Sequence, residues 1–238
     1  MIINAMTPAR IGSTRLKMKN LALAGGRPMI EYVLEAAKNS KVFDSITVNS
    51  DHQLFKEIAE RSGVSFYLRP EELGSSTTKS DDVVYDFMQK VPGDITVWVN
   101  SISPLQSPTE IASIIKYFQD EKLDCLQTVR DEQAHCLQGD EPLNFSTVGK
   151  FAQTQDLVPI RRFVYSIMMW RNSAFMKEYE KSGSAFFCGK PGYYSISKES
   201  AIIVKTEEDI RLVDFIINGN KSGHWNLEYD PIIEKYGL

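Results

Sequence analysis

The segment Pro8-Ala9-Arg10-Ile11-Gly12-Ser13-Thr14-Arg15-Leu16-Lys17-Met18-Lys19-Asn20 gathers four cations, Arg10, Arg15, Lys17 and Lys19, around the small residues Gly12 and Ser13. Small residues let backbone N–H groups approach an anion, arginine offers paired contacts to phosphate oxygens, and lysine offers a compact positive charge. A loop of this make-up suits a polyphosphate. The competing explanation is a solvated basic turn. The P-loop pattern G-x-x-x-x-G-K-[ST] is absent. The cations stand out because the chain as a whole is mildly acidic. Its 238 residues carry 27 Lys and Arg against 31 Asp and Glu, a net charge of −4. That balance argues against a general binder of nucleic acid or membrane surfaces.

Other reactive side chains form no pattern. Cys125, Cys136 and Cys188 include no CxxC pair, and His52, His135 and His224 are scattered. A zinc site is therefore not expected, and the thiols suit a reduced, cytoplasmic protein. The first residues lack the apolar stretch of a secretion signal, and no run approaches the ~18 apolar residues of a membrane span. The expectation is a cytoplasmic protein.

The elements that must hold the basic loop alternate in type. Ile2–Met6 has the apolar character of a buried strand, and the loop follows it directly. Residues 28–40 have helical spacing, with Pro28 at the start and Met29, Ile30, Val33, Leu34 and Ala37 on one face. A strand is expected over 45–50. A helix over 51–63 follows, capped by Asp51 and ended by Gly63. Further strands are expected at 64–68, 94–100 and 124–129, with helices at 81–90 and 107–122 between them. This β-α alternation predicts an α/β fold, a mainly parallel twisted sheet with helices on both faces. Such sheets bind ligands beyond the carboxyl ends of their strands, so the loops at 7–20, 49–51, 69–81 and 100–107 should share one crevice. After residue 130 the rhythm changes. A strand near 163–170, a helix near 173–182, an extended 191–197 and a helix from Thr206, with Asp209 completing a capping box, are expected. No repeat or linker divides the chain, so one domain over 1–238 is expected.

Five stretches in order resemble one family. Pro8–Asn20 resembles P-A-R-x-G-S-K-x-x-x-x-K-N, "LAGGRPMIEYVLEAA" resembles L-x-G-x-P-[LM]-I-x-Y-x-[IL]-x-x-A, and "FDSITVNSD" resembles F-D-x-[IV]-x-V-S-T-D. "YLRPEELGSSTTKSDDVV" resembles F-x-R-P-x-E-L-A-x-x-x-[ST]-x-[ST]-x-D-V, and "VNSISPLQSPTEI" resembles L-Q-P-T-S-P-L-R-x-x-x-D-I. The family is that of the cytidylyltransferases that activate 3-deoxy-2-ulosonic acids, the acylneuraminate and 3-deoxy-manno-octulosonate (Kdo) synthetases. The likeness is firm from residue 2 to about 115 and traceable to about 217.

The resemblance implies a Rossmann-like nucleotidyltransferase fold and specific roles. Arg10, Ser13 and Lys19 would hold the triphosphate of CTP, with Arg15 adding charge and Ala9 and Gly12 lining the loop. Asn20 would lie near the ribose or base, Arg69 would face the cytosine edge, and Ser80 and Asp82 would line the nucleotide pocket. Asn100, Ser103 and Gln106 would face an acidic sugar acceptor. The family dimerises through an excursion that falls here at about 138–192, so a homodimer is implied, with Arg161 or Arg162 reaching the partner's sugar carboxylate. Residue-level alternatives stand beside several of these roles: Asp82 and Asp51 as helix N-terminal residues, Arg69 as a loop cation, Arg161 and Arg162 as solvated strand residues.

The family's magnesium is also implied, yet its usual ligands are missing. Where the sialate branch has two aspartates in I-D-I-D-T-x-E-D, this chain has Ile203 and Lys205. Neither side chain is a ligand for Mg2+, which takes oxygen donors. The stretch "LQGDEPL" at 137–143 resembles a metal-binding strand of the Kdo branch but lies about 40 residues too late, so a turn at Gly139-Asp140 is expected, a relocated ligand being the alternative. The implied reaction is transfer of CMP from CTP to an acidic 2-keto-3-deoxy sugar with release of pyrophosphate. The alternatives are another nucleotidyl transfer, or nucleotide binding with weak or lost catalysis.

Overall fold

A computed structural model describes residues 1–12, 16–223 and 226–236. The opening strand β1, Ile3–Ala9, runs three residues beyond the apolar stretch that announces it and is buried throughout. On one side β1 pairs in parallel with β4, Ser45–Ser50, as far as Ala9↔Ser50. On the other it pairs with β6, Ile95–Val99, only as far as Met6↔Trp98. Pro8 is tolerated beyond that point because the ladder on the β6 side has ended. Its carbonyl there accepts from Ser101 Oγ at 2.7 Å instead.

Two short strands, β2 (Leu23–Ala24) and β3 (Arg27–Pro28), turn the chain into α1, Met29–Ser40. After β4 comes α2, Leu54–Ser62, which Gly63 ends in the left-handed conformation (φ 63°). Asp51 does not cap this helix. Gln53 stands at the N-cap, and the Asp51 carboxylate is turned to the N–H of Ile11. Strand β5, Ser65–Leu68, leads to α3, Ser80–Lys90, and β6 leads to α4, Pro108–Asp120. The remaining elements are β7 (Cys125–Glu132), a hairpin of β8 (Leu137–Gln138) and β9 (Glu141–Pro142), β10 (Ile160–Arg171), α5 (Asn172–Ser182), β11 (Pro191–Ser195), α6 (Glu207–Ser222) and α7 (Ile232–Lys235).

Seven strands form one sheet in the order β11-β7-β10-β6-β1-β4-β5. All neighbours are parallel except β10, which runs antiparallel between β6 and β7. Residues 160–171 of the expected excursion thus return to the central sheet. Outside it stand residues 172–190 with α5, and the segment 133–159 with the small hairpin, whose Gly139 has φ 62° and whose Asp140 is exposed.

Alternation along the strands builds a core on each face. Ile3 and Ala5 of β1 join Ile95, Val97 and Val99 of β6 against α1 and α4. Met6 points the other way, toward Val84 and Phe87 of α3 and Phe175 of α5. From β1 the chain proceeds to β4 and β5 on one side, then crosses back to β6 on the other. The switch point lies between β1 and β6, where a parallel sheet opens a crevice. No helix among the described residues is long and apolar enough to cross a membrane.

Candidate functional site

A cleft of about 340 Å³ occupies this switch point. Its floor is the ends of β1 and β6: Pro8, Ala9, Trp98, Asn100, Ser101 and Ile102. The Ser101–Pro8 hydrogen bond joins the two ends. Asn100 is pinned to β10 through its N–H to Ser166 O (2.9 Å) and its Nδ2 to Tyr165 O (2.8 Å). One wall is the basic loop, represented by Arg10, Lys19 and Asn20. The opposite wall is the segment 73–80 and the first turn of α3. Arg10 Nη1 reaches across to the carbonyl of Ser75 at 3.4 Å. The N-terminus of α3 at Ser80 adds the positive end of a helix dipole to that wall.

Four cations line this cleft, Arg10, Lys19, Arg69 and Lys79, and no carboxylate does so among the described residues. Arg69 is 5% exposed, and its Nη1 donates to Asn49 O at 3.4 Å while its Nε has no partner. Burial holds this guanidinium below its ordinary pKa. Asp51 opposes that shift, and Arg10 adds to it. An unpartnered buried donor costs about 1–3 kcal/mol, so Arg69 Nε is held in place at a cost to the fold. Asn20 is the complementary case. Its Nδ2 donates to Arg10 O at 3.4 Å, and its buried Oδ1 accepts nothing. The indole Nε1 of Trp98 is likewise buried and without a partner. The cleft therefore offers positive charge, unfilled donors in Arg69 and Trp98, and an unfilled acceptor in Asn20.

Among the residues singled out by sequence, Ala9, Arg10, Lys19, Asn20, Arg69, Ser80 and Asn100 meet in the cleft. Ser13 and Arg15 lie outside the described residues. Gly12 lines a second, wider hollow of about 1160 Å³, which shares Arg69 and Ser75 with the cleft and also contains Asp51 and His52. Asp82 is not part of the lining. It accepts from Tyr179 Oη at 2.6 Å and from Lys79 N at 3.4 Å, which fastens α3 to α5. That bond raises the Tyr179 pKa to about 12, with burial adding to the effect.

Ser103 and Gln106 are buried and are not part of the lining, and Ser103 Oγ and Gln106 Oε1 have no partner among the described residues. The turn bonds Ser103 N to Asn100 O and Gln106 N to Ser103 O, and Gln106 Nε2 donates to Glu110 at 2.7 Å. Arg161 and Arg162 lie exposed on β10 and pair with Asp131 (3.4 Å) and Glu132 (3.0 Å) of β7. Lys79, Ser75, Thr78, Trp98 and Ser101 are lining residues that sequence reasoning did not single out. The run Ser75-Ser76-Thr77-Thr78-Lys79-Ser80 ahead of a helix held the available signal, small polar residues and a cation at a helix N-terminus.

These residues do not fit a protein-held magnesium ion. The lining offers neutral oxygens and four cations, whereas Mg2+ is held through one or two carboxylates together with phosphates. No cluster of three metal-ligating side chains occurs among the described residues. Val204 N donates to Ile102 O at 2.9 Å, which brings Ile203 and Lys205 alongside the cleft floor, and neither is a ligand.

A mainly parallel sheet with a cationic crevice at its switch point defines a ligand-binding α/β protein. The family model described as "Cytidylyltransferase" matches residues 4–158, and the chain belongs to the cytidylyltransferase family. It is 28% identical over 211 residues to the N-acylneuraminate cytidylyltransferase of Streptococcus agalactiae, covering 85% of this chain and 50% of that protein. It is also 28% identical over 156 residues to the 3-deoxy-manno-octulosonate cytidylyltransferase of Bdellovibrio bacteriovorus, covering 66% of this chain and 60% of that one. The chain thus spans about half the length of the first of these relatives. Its fold is similar to the solved structure of a CMP:2-keto-3-deoxy-manno-octonic acid synthetase complexed with CTP. That match has a TM-score of 0.71 at 16% identity and covers 92% of this chain and 100% of the other.

Proposed function

We propose that the chain binds CTP in the β1/β6 cleft and transfers CMP to an acidic 2-keto-3-deoxy sugar of the sialic-acid or Kdo kind. The observation that carries this is the convergence of Arg10, Lys19 and Lys79 with the unpartnered Arg69 Nε and Asn20 Oδ1. The cations suit a triphosphate. The buried donor and acceptor suit the polar edges of a base and ribose. In the reaction the anomeric hydroxyl loses its proton as its oxygen bonds to the α-phosphorus, and pyrophosphate leaves. Arg10 and Lys19 offset the charge on the phosphates, and the walls of the cleft hold the reacting atoms in line. Names borne by relatives in the family support this choice of substrates.

A second reading, nucleotide binding with little transfer, is favoured by the absence of a carboxylate from the cleft lining among the described residues. Calorimetry with CTP, ATP and GTP, followed by pyrophosphate release with sialic acid and Kdo, tests both. Preference for CTP with release is the expected result. Tight CTP binding without release from either acid favours the second reading, and preference for ATP or GTP removes the choice of cytosine.

The homodimer belongs to the same proposal. Phe163, Tyr165, Phe187 and Tyr193 form an exposed aromatic group on β10, β11 and the turn before β11, with Phe163 and Tyr165 stacked at 5.5 Å. A second copy covering this group would remove it from water. Arg161 and Arg162, which flank it, would have to exchange Asp131 and Glu132 for a sugar carboxylate. A monomeric mass by light scattering at micromolar concentration rejects the dimer.

A further inference from the structure

We infer that this cleft takes its nucleotide as the free polyanion and that magnesium weakens nucleotide binding. The inference rests on the proposed CTP site and concerns how that site meets the phosphate charge. A site built around a protein-held divalent cation places carboxylates beside the phosphates, and without the metal those carboxylates repel the ligand. Among the described residues, most of the acids around the cleft are committed elsewhere, and Glu71, which is not, lines the neighbouring hollow rather than the cleft. Asp51 accepts from Ile11 N at 3.1 Å and lies in the neighbouring hollow. Asp81 accepts from Ala185 N and Phe186 N at 2.6 and 2.9 Å, Asp82 from Tyr179, and Asp86 from Tyr67 at 2.9 Å. Glu110 is held by Gln106 and by Ser197 N, and Asp209 folds back on Lys205 N and Thr206 N. The segment beside the cleft floor contributes Lys205 in place of an acid, and Ile203 packs against the core.

Charge then decides the sign. A nucleotide carrying bound Mg2+ has two fewer negative charges to offer Arg10, Lys19, Arg69 and Lys79, and among the described residues no lining carboxylate recovers the difference from the metal. Lys79 adds a cation to the wall of the cleft. It is exposed at the mouth and makes no ion pair among the described residues.

The test is calorimetric titration of the full chain with CTP in millimolar magnesium and in EDTA at matched ionic strength. Affinity is expected to be about three- to tenfold higher in EDTA, an effect of the size seen for partly screened charges. Equal affinity in the two conditions, or tighter binding with magnesium, overturns the inference and leaves the CTP site standing. No CTP binding in either condition overturns the site and the inference together. Lys79→Gln should lower the affinity in EDTA about threefold and shrink the difference between the conditions, and Lys79→Arg should restore both. A Lys79→Gln protein whose magnesium response equals that of the parent chain counts against the charge argument.

Discussion

The carboxylate of Asp51 accepts the backbone N–H of Ile11 at 3.1 Å, so the end of β4 holds the entrance of the basic loop that follows β1. Gly74 lies against the same carboxylate, where an added Cβ would collide with Asp51. The three segments therefore fix one another: β4 positions the loop, and the turn after β5 confines β4's aspartate.

Removing this tie should loosen the cleft without unfolding the chain. Asp51→Ala loses the hydrogen bond from Ile11 N, about 1.5–3 kcal/mol for a charged acceptor, and a longer one from Ser50 Oγ at 3.4 Å. CTP affinity is expected to fall about three- to tenfold because Arg10 is no longer held facing Ser75. Gly74→Ala should lower affinity in the same direction by displacing Asp51. Calorimetry and urea denaturation measure the two effects separately. Full affinity in both variants refutes the coupling.

Arg69 separates binding from stability. Its Nε is buried without a partner and burial already disfavours its charge, so Arg69→Met should leave the urea midpoint unchanged or raise it. The same substitution is expected to cost CTP affinity at least tenfold, because it removes both a charge and a donor. A large loss of stability would show that Arg69 serves the fold instead.

Asp82 gives the opposite pattern. Its bond to Tyr179 joins α3 to α5, so Tyr179→Phe should cost about 1 kcal/mol and leave CTP affinity intact. The Tyr179 pKa is raised to about 12 from 10.0, meaning that the folded state holds this proton more tightly than the unfolded state. The stabilisation is complete below pH 10 and is lost as pH rises toward 12. Tyr67, raised to about 12 by burial and by Asp86, acts with the same sign. Denaturation midpoints across this range should fall less steeply in Tyr179→Phe than in the parent chain.

Trp98 should report the ligand. It lines the cleft, whereas Trp170 is sealed in the core with its Nε1 bonded to Phe186 O at 2.9 Å. A change in intrinsic fluorescence on adding CTP is expected, and Trp98→Phe should abolish it. Persistence of the signal in a Trp98→Phe, Trp225→Phe double variant would place the nucleotide elsewhere.

The alternation of strand and helix signals from Ile3 to Val129 was legible because apolar residues recur with period 2 in the strands and about 3.6 in the helices. Loops that follow parallel strands must gather at one edge, which is why Arg10, Lys19, Asn20, Arg69 and Asn100 were traceable to one crevice. Helix phase was not legible to the same degree. Asp82 follows Ser80 by two positions, about 200° around α3, and so faces Tyr179 while Ser80 faces the cleft. Nor was the turn legible that places Ser103 and Gln106 in the buried interior instead of the cleft lining.

By itself, then, the sequence determined the α/β class, the order of elements, the cationic character of the first loop and the presence of Ile and Lys, not carboxylates, at 203 and 205. These follow from local periodicity and from residue chemistry, which the chain carries at every position. Tertiary structure alone decided that β10 enters antiparallel between β6 and β7, that Lys79 joins Arg10 and Arg69 across the cleft, and that Asp51, Asp81 and Asp82 spend their carboxylates on backbone and tyrosine donors. Those outcomes depend on contacts between residues tens of positions apart, where pairing and side-chain direction, which spacing does not encode, fix what each group faces.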